Sequence, residues 1–370
     1  MSLLISLFKR RPALCISVIA AVITMFIVPP NPGYAAYIDL RVLILLFCLM
    51  ACVRGFQRQG VFEWCAATLV KDAKNLRQLG ALLLGLVSFS SLFVTNDVAL
   101  ITFVPLTLIV LRLANLVSYA PFLVALEAVA ANLGSMLLPF GNPQNLFIFE
   151  AYNISFGDFV RTLLPYWLLS LLLCALCVLL IKPTVVGSVS LDISGIKSRP
   201  ASAGFLLLFL LSVLAVSRLV PVEIVFAIVV LGTLVIDRRT LLEVDYGLLL
   251  TFIGFFIFSG NIAQLELVRS IAQAAMEAQP FFVSLGLSQV ISNVPSAVLL
   301  EPFTAAWPQL LLGVDIGGLG TPVASLASLI AFGLYRKDGG AAGGFLKYFF
   351  VLNGAFLAIL VGAWCLLTLL

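Results

Sequence analysis

The chain has 370 residues, of which 62% are hydrophobic and only 10% are Asp, Glu, Lys or Arg. A soluble domain carries about 25% charged residues, so there is too little charge here to cover a water-facing surface. A cytosolic enzyme, a disordered chain and a nucleic-acid binder are excluded together. The composition is that of an integral membrane protein whose partner is the lipid bilayer, and the net charge of +4 reads as loop topology.

A transmembrane helix needs about 20 mainly apolar residues. Stretches that fit are 12–29, 39–54, 119–139, 162–181, 201–217, 222–236, 244–260 and 348–369. The first follows Lys9, Arg10 and Arg11. Its apolar run is longer than a signal-peptide core and no small-residue cleavage site follows, so it reads as an uncleaved helix. Residues 79–112 are apolar for too long to cross once and not long enough to cross twice, with Thr95, Asn96 and Asp97 at the middle. Residues 281–305 repeat this pattern around Ser292, Asn293 and Pro295. Both read as re-entrant helical hairpins with tips near the membrane midplane, where protein or a water-filled cavity must satisfy the non-helical backbone. Amphipathic stretches at 55–78 and 262–279 precede the hairpins and read as interfacial helices.

With the N-terminus inside, this order places 17 of the 21 basic residues on the cytoplasmic side and only Arg41, Arg161, Arg218 and Arg269 outside. The positive-inside rule expects that bias, and the C-terminus then lies outside. The polar segment 183–200 reads as a cytoplasmic linker between a first repeat, 1–182, and a second, 201–370. Seven cysteines lie mostly in apolar runs. Even the C-x-x-C of Cys174 and Cys177 reads as buried small side chains. With no His in the chain, a His-ligated metal, a Ser–His pair and a His proton relay are excluded.

The halves echo one another. SLFVTNDVALITFVP aligns without gaps on SQVISNVPSAVLLEP, pairing Ser91 with Ser288, Thr95 with Ser292, Asn96 with Asn293 and Pro105 with Pro302. Further on, PFGNPQN (139–145) and GLGTPVAS (318–325) share a Gly-x-Pro core. That core predicts two broken helices, 119–153 and 308–335, because Pro removes a backbone donor and Gly admits unusual backbone shapes. The expected fold is therefore an all-α polytopic membrane protein. It is an inverted repeat with two re-entrant hairpins, one from each face, and two broken helices, an architecture typical of secondary transporters.

TNDVALITFVP, EAVAANLGSMLLPFGNPQN (127–145), SNVPSAVLL and GLGTPVASLASLIAF (318–332) together resemble the ion-transporter superfamily. That group holds citrate-transporter-like permeases, dicarboxylate/sodium symporters, arsenite-efflux permeases and some sodium–proton antiporters. The likeness runs in order from about residue 39 to 340 and is nearest to anion-permease-like bacterial members. It implies a scaffold and a transport domain, a homodimer, elevator-type alternating access and residence in a bacterial inner membrane. The hairpin-tip motif falls on Thr95-Asn96 and Ser292-Asn293, and the broken-helix loops on Gly141-Asn142-Pro143 and Gly320-Thr321-Pro322. The sodium/dicarboxylate branch has Ser-Asn-Thr at both tips, whereas this chain has Thr-Asn-Asp and Ser-Asn-Val, so a dicarboxylate is not implied.

The candidate cation and substrate contacts are Ser91, Thr95, Asn96, Asp97, Gly141, Asn142, Gln144, Asn145, Ser292, Asn293, Ser296, Gly320, Thr321 and Ser325. Asp97 is the foremost, because an intramembrane carboxylate costs about 2.5–3.5 kcal/mol and usually has a partner or a task. Asp97 and Glu127, which shares its helix with Asn132 and Ser135, are the candidate proton sites. Glu301 and Asp315 fall near the outer surface and read as solvated. Apart from Arg112 at the very end of the first, no Lys or Arg lies in either hairpin's apolar stretch or beside GNPQN, so the anion preference comes from the resemblance. The expected function is a secondary active transporter of a small ionic solute, a carboxylate or inorganic oxyanion. Na+ or H+ is the coupling ion, with Na+ at the hairpin tips, and no other metal or cofactor is expected. Sodium–proton antiport or arsenite-like metalloid efflux on the same scaffold is the alternative. An aspartyl membrane protease is excluded for want of two facing Asp motifs.

Overall fold

A computed structural model describes residues 11–71, 73–186 and 195–369. Among them there are helices and turns but no strand, apart from one isolated antiparallel bridge between Asn75 and Val185. In chain order come α1 (Pro12–Ile27), α2 (Leu40–Gln59), α3 (Val61–Val70), α4 (Leu76–Phe93), α5 (Asn96–Leu113), α6 (Ala120–Gly134), α7 (Pro143–Ala151) and α8 (Phe156–Leu179). The second half supplies α9 (Arg199–Val216), α10 (Val222–Asp237), α11 (Tyr246–Ile262), α12 (Glu266–Ala278), α13 (Pro280–Ile291), α14 (Asn293–Leu300), α15 (Trp307–Ile316), α16 (Leu326–Lys337) and α17 (Ala342–Leu369). Seven helical segments are long and apolar enough to cross a membrane, and α11 with α12 forms a further pair bent by 101°.

The elements start and stop where local chemistry directs. Asp39, Asn75, Ser155 and Ser198 cap α2, α4, α8 and α9 through side-chain oxygens that accept N–H bonds from the first turn. Gly60 ends α2 in the left-handed region, as a helix-terminating glycine does. Along α8, Leu164, Leu168, Leu172 and Leu176 are exposed at four-residue spacing, while Phe159, Leu163, Tyr166, Ser170, Cys174 and Val178 are buried. The outer stripe faces lipid. α6 is buried on nearly every side and Ala-rich, which lets neighbours approach closely.

Packing gathers the helices into two groups, each drawing on both halves of the chain and joined where α11 meets α14 and α2 meets α7. α2 packs with α9 and α10, and α1 with α11. The second group holds the hairpins and breaks: α6 touches α4, α5, α8, α16 and α17, and α13 packs on α14 and α15.

Several boundaries differ from the sequence expectation. α2 continues to Gln59, beyond the expected end at 54, so the amphipathic stretch 55–78 contains the short α3 rather than one interfacial helix. The first hairpin runs 76–113 with two legs of 18 residues, each roughly 27 Å long. The second is far shorter, with legs of 12 and 8 residues. α12 occupies the expected 262–279 stretch and turns sharply from α11. Of the linker 183–200, residues 187–194 lie outside the described residues, as do Lys9 and Arg10. The described part is pinned: the Leu76 N–H donates to Thr184 O and the Val186 N–H to Lys74 O.

Candidate functional site

Both hairpin tips carry the same hydrogen-bond pattern on different backbones, Thr95 at φ −58° and Ser292 at φ +78°. Thr95 and Ser292 stand as N-caps of α5 and α14 without a capping side-chain bond, and each is followed by an Asn at the first helical position. Asn96 Oδ1 accepts from the Asp97 N–H at 2.9 Å, and Asn293 Oδ1 accepts from the Val294 N–H at 2.9 Å. Ser292 holds φ +78°, a strained value for a non-glycine residue. Its hydroxyl donates to Ala324 O at 3.2 Å, while the Asn293 N–H donates to the same carbonyl at 3.0 Å. The second tip is therefore stitched to the second break.

The breaks are shaped by close approach. A Cβ on Gly141 would lie 2.0 Å from Ser135 O, and one on Gly320, at φ +104°, 2.2 Å from Gln289 Oε1. Past Gly141, Asn142 is extended and Pro143 opens α7, the position where a missing N–H costs nothing. Past Gly320, Ser325 caps α16.

Asn132 of α6 joins these parts. Its Oδ1 accepts from Asn96 Nδ2 at 2.8 Å and from Ser325 Oγ at 2.7 Å, and its Nδ2 donates to Gly318 O at 3.5 Å. One buried amide thus links the first tip to the second break. Two cavities lie beside the tips and breaks it links. The first, about 140 Å³, is lined by Asn96, Asp97, Gln144, Ser292, Asn293 and Ser325 among apolar neighbours. The second, about 230 Å³, takes in Thr95, Asp97, Asn142, Arg54, Gln57, Glu243 and Asp245. Asp97, Pro143, Leu248 and Leu326 belong to both walls. Either space holds several waters, since one needs only about 10–15 Å³.

Four helices, α5, α7, α14 and α16, begin at these walls, through Asn96, Pro143, Asn293 and Leu326. Helix N-termini carry partial positive charge and spare N–H groups and favour anions. Asp97, in the first turn of α5, stands in the same field and sets its carboxyl between the cavities. Oxygen atoms suited to a monovalent cation flank Asp97 on either side: Thr95 at the larger cavity and Ser292 at the smaller. No group of three His, Cys, Asp or Glu suited to a metal ion occurs among the described residues.

Other expected contacts lie elsewhere. Ser91 Oγ donates to Val87 O at 2.7 Å within its own helix, and Ser296 does the same to Ser292 O at 2.8 Å. Thr321 is bound to α13, its N–H donating to Gln289 Oε1 and its hydroxyl to Gln289 O. Asn145 Nδ2 braces the first break by donating to Met136 O at 2.9 Å. Glu127 is buried and accepts from Thr107 Oγ1 at 2.5 Å, away from both cavities.

Three residues take roles the sequence reading did not give them. Gln289 satisfies the second break, donating to Gly317 O and Leu319 O. Arg54 brings a guanidinium to the larger cavity, held to Glu243 at 2.6 Å. Asp315, expected at the outer surface, is buried with Gln144 Nε2 donating to its Oδ1 at 3.1 Å. A polar residue inside an apolar helical stretch was the available signal for Gln289 and Asp315. Its use depends on which helix packs opposite.

A model of the citrate transporter family matches residues 1–309. The chain belongs to the citrate transporter family. It is a membrane transporter and not an enzyme, and the superfamily resemblance read from its motifs holds. The chain is 33% identical over 318 residues to the inner membrane protein YbiR of Escherichia coli, covering 83% of each. It is 36% identical over 146 residues to the silicon efflux transporter LSI3 of Oryza sativa, covering 39% of this chain and 29% of that one. The crystal structure of the Alcanivorax borkumensis YdaH transporter shares the fold at TM-score 0.55 and 16% identity, covering 90% of this chain and 86% of that one.

Proposed function

We propose that this family member is a secondary active transporter that moves a small anion, a carboxylate or inorganic oxyanion, coupled to Na+ or H+. The observation that carries the reading is the meeting of four helix N-termini, two tip asparagines and Asp97 at one cavity, with Asp97 also in the wall of a second. The N-termini supply the field for an anion without a fixed cation buried at the site. Asp97 then supplies the counter-charge that makes a co-bound cation useful, which is how coupling arises. The solute is released on the other side when the hairpin-bearing body shifts against the α1, α2, α9, α10 and α11 body.

The proposed setting is a bacterial inner membrane with the N-terminus inside and the C-terminus outside. Arg11, Arg54 and Arg58 pair with Asp245, Glu243 and Asp237 in one cluster, and Arg41 and Arg218 meet at Glu150 in another. That separation supports opposite faces. Homodimeric assembly, which the superfamily resemblance implies, belongs to the proposal, and cross-linking in native membranes checks it. Uptake of labelled carboxylates and oxyanions into proteoliposomes under imposed Na+ or H+ gradients tests the function. Unchanged uptake in both Asp97→Asn and Asn96→Ala would remove the site.

A second reading has its own support. At the larger cavity Glu243 and Asp245 are paired with Arg54, Arg58 and Arg11 while Asp97 has no ion-pair partner among the described residues, a balance that suits a cation or a neutral solute, and a relative is named a silicon efflux transporter. Sodium-driven alkalinisation of vesicles without any organic solute would favour antiport over anion transport.

A further inference from the structure

Asp315 sits in the last turn of α15, one residue before the helix ends at Ile316, and is 3% exposed. Its Oδ1 accepts from Gln144 Nε2, and its Oδ2 has no hydrogen-bond partner among the described residues. Asn145 stands beside the same carboxyl, its Nδ2 committed to Met136 O and its own Oδ1 unpartnered. Asp315 Oδ2 and Asn145 Oδ1 are thus two buried acceptors left without a hydrogen bond among the described residues, with the second N–H of the Asn145 amide within reach of the carboxyl.

No charge nearby compensates the carboxyl. α15 packs against α6, α7, α13, α14 and α17. α13 and α14 contain no ionisable residue. α6 offers only Glu127, bonded to Thr107, and α7 only Glu150, paired with Arg41 at 2.7 Å. α17 carries Lys347, Tyr348 and Cys365: the first two are exposed, and Cys365 neighbours Tyr166 of α8. A carboxylate at this point would also face the negative end of the α15 dipole. An uncompensated buried charge costs several kcal/mol and is neutralised in practice.

A metal cation would need a full shell of oxygen ligands, yet the nearest group, Gln144, presents an N–H. A proton needs one oxygen and turns Oδ2 into the missing donor. We propose that Asp315 is a proton-binding site, and that it takes up and releases the H+ of the transport cycle with Gln144 carrying its state to the cavity. Gln144 lines the smaller cavity while holding Asp315. When the carboxyl is charged it grips the Gln144 amide more strongly; when neutral it leaves the amide free to meet the solute. The place in a cycle rests on the transporter reading above, whereas proton binding does not.

Infrared pH-difference spectroscopy of the full chain in lipid tests this without any substrate. The wild type should show a protonated-carboxyl C=O stretch that titrates, and Asp315→Asn should lose one component of it. Gln144→Leu should keep that component but shift its frequency, because the carboxyl loses its hydrogen bond. Spectra identical in wild type and Asp315→Asn would overturn the proposal, as would abolition of the band by NaCl at fixed pH, which marks a cation site. If Asp315→Asn does not fold, the Gln144→Leu shift decides, and an unmoved band overturns the proposal. A retained Asp315 component in a chain that takes up no solute would sink the transporter reading and leave the proton site standing.

Discussion

The two hairpin-and-break units are built on one plan and finished differently. Each tip places an Asn at the first position of its second helix with the same side-chain-to-backbone bond. The first unit follows that Asn with Asp97, the second with Val294. The first break is braced by Asn145 on the Met136 carbonyl, the second by Gln289 on two carbonyls and the Thr321 N–H. Charge sits on one copy and bracing is heavier on the other. The common plan builds the cavity; on the proposed reading the tip carboxyl of Asp97 acts from the first unit and the proton site at Asp315 from the second, whose break is the more heavily braced.

That contrast can be broken at several points. Gly141→Ala should have the largest effect. The new Cβ lies 2.0 Å from a backbone oxygen that cannot swing aside, and overpacking of this kind costs about 1–3 kcal/mol before any backbone shift. Loss of most monodisperse protein in size-exclusion chromatography is the expected outcome. Gln289→Leu should follow, because it strands three backbone groups; they are only part-buried, so water offsets much of the about 1–3 kcal/mol that a fully buried unpaired group costs. Asn145→Leu strands one and should lower the melting temperature by clearly less; equal shifts would deny that the second break is the more heavily braced.

Asp97→Asn separates function from folding. Uptake should fall at least tenfold, equivalent to about 1.4 kcal/mol, with little change in melting temperature. Val294→Ala, at the matching position of the other tip, should stay within about twofold, or about 0.4 kcal/mol. Ser91→Ala should matter least, within about 0.5 kcal/mol, since its hydroxyl only bonds back to its own helix. A large uptake defect there would return Ser91 to the site.

Much of this architecture could be read from the chain. Thr95-Asn96-Asp97 and Ser292-Asn293 interrupt apolar stretches that have no other reason to be interrupted, and Gly141-x-Pro143 with Gly320-x-Pro322 mark the breaks. Those are local signals with local causes. Asn132, Arg54 and Asp315 were less legible because their roles are set by partners far along the chain. Asn132 meets Ser325, Arg54 meets Glu243, and Asp315 meets Gln144. The surface placement of Asp315 failed for the same reason: position along the chain says nothing of the α7 helix laid against it. The hairpins' outer ends shift from 79 to 76 and from 305 to 300, because apolar length alone does not tell where a capping Asn75 starts a leg or where one ends.

The central claim is that both tips meet at one cavity. Paired Asn96→Cys and Asn293→Cys substitutions in a cysteine-free background, probed with a short thiol cross-linker in membranes, test it most directly. Efficient cross-linking within one chain, blocked by prior labelling of either position, is the predicted result. Free labelling of both positions from the same aqueous face with no cross-link would contradict the account.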